Sequence, residues 1–69
     1  MQTRYLVTGM TCDHCVAHVT EEVSAIPGVT GVSVSLSDGL MLVDSPAPIA
    51  FSLITDAVSE AGDYTVAPA

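Results

Sequence analysis

Cys12 and Cys15 are the only cysteines in a chain of 69 residues. They sit in the stretch Gly9-Met10-Thr11-Cys12-Asp13-His14-Cys15, after an apolar run and before a helical pattern. A bridge between residues three apart closes a tiny loop and adds little through chain entropy, so a structural disulfide is a poor reading. A closed tetrahedral zinc site wants about four strong ligands, and only Cys12, Cys15, His14 and His18 are near one another in sequence. Two thiolates without a further strong ligand suit a soft ion that accepts low coordination, above all Cu(I). Mg(II) and Ca(II) want several oxygens. The same pair read as a dithiol redox couple would belong in a larger domain. No separate general base, nucleotide loop or nucleophile constellation accompanies it. The chain is therefore read as a binding module and not as an enzyme.

The thiolate is the form that binds metal, and a loop feeding a helix N-terminus favours it through unpaired N–H groups and the helix dipole. Cys15, at about the first helical turn, should gain most, and Cys12 should be the more exposed sulfur. His14 lies between the cysteines and is either a further nitrogen ligand or a solvated side chain pointing out of the loop. Met10 carries a thioether, but its position fits a core anchor beneath the loop. His18, one turn past Cys15, reads as a surface residue.

The elements that must hold this loop follow from periodicity. Residues 4–9 read as a strand, with Tyr5 and Val7 on one face and Leu6 and Thr8 on the other. From Cys15 onward, Val16, Val19, Val23 and Ile26 form the stripe of an amphipathic helix. Thr11 and Asp13 are both candidate N-caps, and Pro27-Gly28 stops the helix. Residues 29–36 alternate as a half-buried strand, Ser37-Asp38-Gly39 turns the chain, and residues 40–43 return antiparallel. Pro46 and Pro48 stiffen the connection to a second helix over 49–61, where Ala50 is a weak cap and Ile54, Val58 and Ala61 face inward. Gly62-Asp63 ends that helix and residues 64–66 form a last short strand. The order strand–helix–strand–strand–helix–strand predicts an α+β fold: a ferredoxin-like βαββαβ open-faced sandwich, with a four-stranded antiparallel sheet and two helices on one face. Residues 1–69 are read as one domain. Leu6, Leu40 and Leu42 fall on the helix-free face, either as scattered exposed residues or as a patch for a weak homodimer.

Arg4 is the only Lys or Arg against eight Asp and Glu, for a net charge of −7. Nucleic-acid binding needs Lys and Arg to displace counterions, and the same shortage argues against an anionic membrane surface. The acidity favours a partner with a basic docking face. No stretch is long and apolar enough to span a membrane, and Met1-Gln2-Thr3-Arg4-Tyr5 lacks the features of an export signal, so a cytoplasmic location is expected. A start at Met1 and an end soon after the last strand favour a free-standing protein.

Gly-Met-Thr-Cys-Asp-His-Cys resembles the Gly-Met-Thr-Cys-x-x-Cys signature of the heavy-metal-associated domain family, and the flanking elements match along essentially the whole chain. That family comprises small copper chaperones, N-terminal domains of copper-, zinc- and cadmium-transporting P-type ATPases, and mercury-binding relatives. The resemblance implies that Cys12 and Cys15 bind Cu(I) through their sulfurs, and that the ion passes by ligand exchange to a copper-transporting P-type ATPase. A copper-bridged homodimer is a further expectation. So is the alternative of a Zn(II)- or Hg(II)-binding variant or an ATPase N-terminal domain: zinc transporters often add a carboxylate beside the cysteines, and Asp13 follows Cys12. The family places a Gly-Tyr pair before the last strand, whereas this chain has Gly62-Asp63-Tyr64, one residue longer. Tyr64 is therefore expected to be displaced and to act as a core and edge residue. Eukaryotic chaperones carry a lysine there; its absence here fits the bacterial type.

Overall fold

The computed structural model describes residues 1–69. Its elements are β1 (Gln2–Thr8), α1 (Asp13–Ser24), β2 (Gly31–Val34), β3 (Leu40–Asp44), α2 (Phe51–Ala61) and β4 (Thr65–Pro68). The strands form one sheet in the order β2-β3-β1-β4, with every neighbouring pair antiparallel. This is the expected ferredoxin-like sandwich.

Burial follows the sequence periodicity. Tyr5 and Val7 of β1 and Met41 and Val43 of β3 face the helices, where Val19 and Val23 of α1 and Ile54 and Val58 of α2 are wholly buried. Fully burying a side chain of this kind contributes about 1.5–3 kcal/mol, so the core rests on a small set of aliphatic residues. Ala57 joins it, and Ala61 packs at its edge. Phe51 remains 40% exposed but lays its ring against Tyr5, with centroids 6.0 Å apart and planes 19° from parallel. No helix is long and apolar enough to cross a membrane.

Element boundaries differ from expectation for local reasons. β1 starts at Gln2 because Gln2 and Thr3 pair with Asp44 and Val43. β2 stops at Val34: Ser35 donates its N–H to the Leu40 carbonyl (2.9 Å) and Gly39 donates to the Ser35 carbonyl (2.9 Å), which turns Leu36 outward. Within that turn Asp38 Oδ1 accepts the Leu40 N–H at 3.1 Å, which holds its carboxyl below the usual carboxylate range. α1 begins two residues before Cys15, capped by Cys12 and not by Thr11 or Asp13. α2 begins at Phe51, two residues late, after Ala50. β4 runs from Thr65 to Pro68, one residue later than expected at its start. It is an edge strand, where proline is tolerated.

Candidate metal centre

The loop between β1 and α1 places both sulfurs at one end of the sandwich. Gly9 leaves β1 with φ of 101°, a conformation costly to residues with a side chain. Cys12 is extended (φ −158°, ψ 173°), and its carbonyl accepts the N–H groups of Cys15 (3.1 Å) and Val16 (3.3 Å). That cap brings the two Sγ atoms to 3.7 Å, far beyond the length of about 2.05 Å of a disulfide, and both cysteines are free. Cys12 is exposed and Cys15 half-buried, as expected.

The Cys15 thiol is lowered from 9.0 to about 6, first by the backbone amide of Thr11 and next by the Tyr64 hydroxyl. Burial opposes these donors, while the Thr11 hydroxyl and the Cys12 thiol add to them. Thr11 Oγ1 lies 3.8 Å from Cys15 Sγ. The thiolate is thus favoured by donors from the loop and from Tyr64, just before β4. The amides of Cys15 and Val16 are already engaged by the Cys12 carbonyl, so they are not available to a sulfur.

Tyr64 lies against the loop at Gly9. It packs against the core as expected, and its phenol is raised above its ordinary value, first by interaction with Cys15 and next by burial. Tyr64 donates its N–H to the Gly62 carbonyl at 2.8 Å, a turn of γ type that loops the exposed Asp63 outward. Two glycines leave room for the ring: a Cβ on Gly62 would stand 2.8 Å from Tyr64 Cε2, and one on Gly9 3.4 Å from Cδ1. The pairing of Gly9 with Gly62 was the available signal, and it is a long-range one.

Met10 is half-buried against the core, the place expected of an anchor beneath the loop. His14 is exposed on α1. His18 lines an open groove of about 350 Å³ with Glu21, Glu22, Glu60 and Ala61. No group of three or more His, Cys, Asp or Glu side chains is arranged to hold a metal ion, so neither histidine, nor Asp13 or Asp63, joins the two cysteines in such a set.

The model of the heavy-metal-associated domain matches residues 4–63. The chain belongs to this family. It is 33% identical over 66 residues to the COP-associated protein of Helicobacter pylori (strain ATCC 700392 / 26695), covering 96% of this chain and all of that protein. It is 36% identical over 63 residues to the copper chaperone CopZ of Enterococcus hirae, covering 90% of this chain and 91% of that one. Mercuric reductase of Serratia marcescens is 38% identical over 60 residues, 87% of this chain but only 13% of the reductase. Among solved structures, the CopZ metallochaperone superposes with a TM-score of 0.86 at 32% identity, over 97% of this chain and 100% of that one. A copper binding domain from the P-type ATPase HMA7 gives 0.86 at 25% identity, over 99% and 92%.

Proposed function

We propose that this chain is a cytoplasmic copper(I) chaperone, a single heavy-metal-associated domain over residues 1–69, that carries Cu(I) on Cys12 and Cys15. It gives the ion up to a copper-transporting P-type ATPase without catalysing a reaction. The observation that carries this reading is the pair of sulfurs 3.7 Å apart, one of them poised as thiolate near neutral pH, with no third His, Cys, Asp or Glu side chain arranged beside them. With metal–sulfur bonds of about 2.3 Å, that separation admits one ion at a bent angle. A linear arrangement would need the sulfurs about 4.6 Å apart, a shift that the exposed Cys12 can supply. An ion so held keeps an open side to water, where a thiolate of the acceptor adds. Cys12 then leaves first, because Cys15 is the sulfur tied to Thr11 and Tyr64.

A second reading is supported by the 38% identity to a mercuric reductase of which the chain spans 13%: a metal-binding domain of a larger protein, or one selecting Hg(II) or Zn(II). Titration of the reduced protein with Cu(I) against a chromophoric Cu(I) chelator, repeated with Zn(II), tests the proposal. One tightly bound Cu(I), lost in Cys12→Ser or Cys15→Ser, is expected. Preference for Zn(II), or rapid disulfide reduction without tight copper binding, overturns it.

A further inference from the structure

The sheet face turned away from both helices carries apolar side chains that the cysteine loop does not use. Strand register sets Leu6 between Leu40 on β3 and Ala67 on β4, and Leu42 between Arg4 on β1 and Ser33 on β2. Their neighbours Tyr5, Val7, Met41 and Val43 are buried under the helices, so these residues point the other way. Leu6 is 43% exposed. At the end of the face nearer the metal loop, the paired hydroxyls of Thr8 and Thr65 are hydrogen-bonded to one another.

Charge separates this face from the rest of the molecule. Arg4 and Asp44 are its only charged side chains, so it is neutral as a whole. The other seven carboxylates lie on α1, on α2 and in the loops, and they account for the entire net charge of −7.

We propose that this face pairs with the same face of a second copy of the chain, in a weak dimer that needs no metal. A two-fold arrangement brings the two neutral faces together and turns both acidic helical layers outward. Arg4 and Asp44 occupy successive rows of the sheet. An axis between those rows sets Arg4 of each copy opposite Asp44 of the other, the self-complementarity that an isologous contact requires. A basic partner finds its counter-charges on the opposite side of the molecule, and an anionic surface meets a chain of charge −7. The area sets the strength. The two longest extents of the chain, 30 and 20 Å, give the face about 600 Å² per copy in projection, near the small end of specific interfaces. The dimer is therefore populated only at high protein concentration.

Its signature is an inverted salt dependence. The acidic remainders of two copies repel one another, and salt removes that repulsion as the screening length falls from about 10 Å at 0.1 M to about 3 Å at 1 M. Apolar contact is not weakened by the same change. The proposal does not rest on the copper reading, and a test on Cys12→Ser/Cys15→Ser keeps the two apart. Sedimentation of that metal-free double variant over a concentration series, at about 0.05 M and about 0.5 M NaCl, should show a monomer–dimer equilibrium that tightens severalfold at the higher salt. Leu6→Lys, on an exposed strand position, should weaken it about tenfold or more with an unchanged circular dichroism spectrum. In the unsubstituted chain, concentration-dependent amide shifts should map to β1 and β3 and spare residues 9–15, which tests the surface without any substitution. A monomer throughout, association that falls with salt, a dimer indifferent to Leu6→Lys, or shifts centred on residues 9–15 would overturn the proposal.

Discussion

A thiol that titrates near pH 6 in place of 9.0 makes two predictions at the scale of single residues. Removing the Tyr64 hydroxyl in Tyr64→Phe takes away the second-largest cause of the shift and leaves the largest, the Thr11 amide. The Cys15 pKa should therefore rise part of the way toward 9.0, read by thiolate ultraviolet absorbance during a pH titration; an unmoved curve would remove Tyr64 from the site. The same shift links protonation to folding. The folded-state value is depressed, so its stabilisation is present above the unfolded value, near 9.0, and is lost as pH falls through about 6. The melting temperature of the metal-free protein, measured against Cys15→Ser, should show an advantage that grows across this window and vanishes below it. His14 is exposed and joins no metal-holding set. His14→Ala should then leave Cu(I) affinity unchanged at any pH from about 6 to 8, the range in which an imidazole ordinarily titrates; a pH-dependent loss would restore it as a ligand.

Elements show what periodicity reveals and what it hides. All six elements were legible: α1 from the stripe Val19, Val23, Ile26, α2 from Ile54, Val58, Ala61, and the strands from alternation between turn signals, because a 3.6- or 2-residue repeat is a local property. The caps were harder to read. Cys12 caps α1 through its extended backbone and makes no side-chain capping bond, so the usual preference for Thr or Asp misled. The contact of Tyr64 with the loop was hidden for a different reason: it depends on the close approach of Gly9 and Gly62 to the ring, which no local repeat records. The weak cap foreseen at Ala50 is present, with no side-chain bond to the first turn of α2. Ala50→Ser should consequently stabilise the fold by about 1 kcal/mol, seen as a higher urea midpoint at unchanged slope. Gly39→Ala should do the reverse. Its φ is 72° and a Cβ would stand 2.5 Å from the Val7 carbonyl oxygen, beside the bond that Val7 N–H makes to Gly39 (2.8 Å). A loss of roughly 1–3 kcal/mol is expected, and a neutral result would mean that the hairpin can shift away from β1.

For the whole molecule the governing fact is that net charge and sulfur share no surface with the apolar sheet face, whose only charges, Arg4 and Asp44, cancel. Seven carboxylates and the cysteine loop belong to the helical side and the loops, and the neutral face lies behind them. On the proposed function, an acceptor that takes the ion approaches the loop within bonding reach of Cys12, and so meets the acidic side first. A chain of charge −7 with one cation attracts a basic-faced acceptor over distances of about a screening length, and such attraction acts mainly on the rate of encounter. Transfer of Cu(I) to a basic-faced metal-binding domain, followed by stopped-flow, should slow as salt rises, while the final partition of copper, set by sulfur–metal bonds on both sides, should change far less. Self-association through the sheet should strengthen under the same conditions. One salt series on one protein thus separates the two surfaces by opposite signs. If instead the transfer rate is independent of salt, charge does not steer the encounter, and the sulfur bridge alone selects the acceptor.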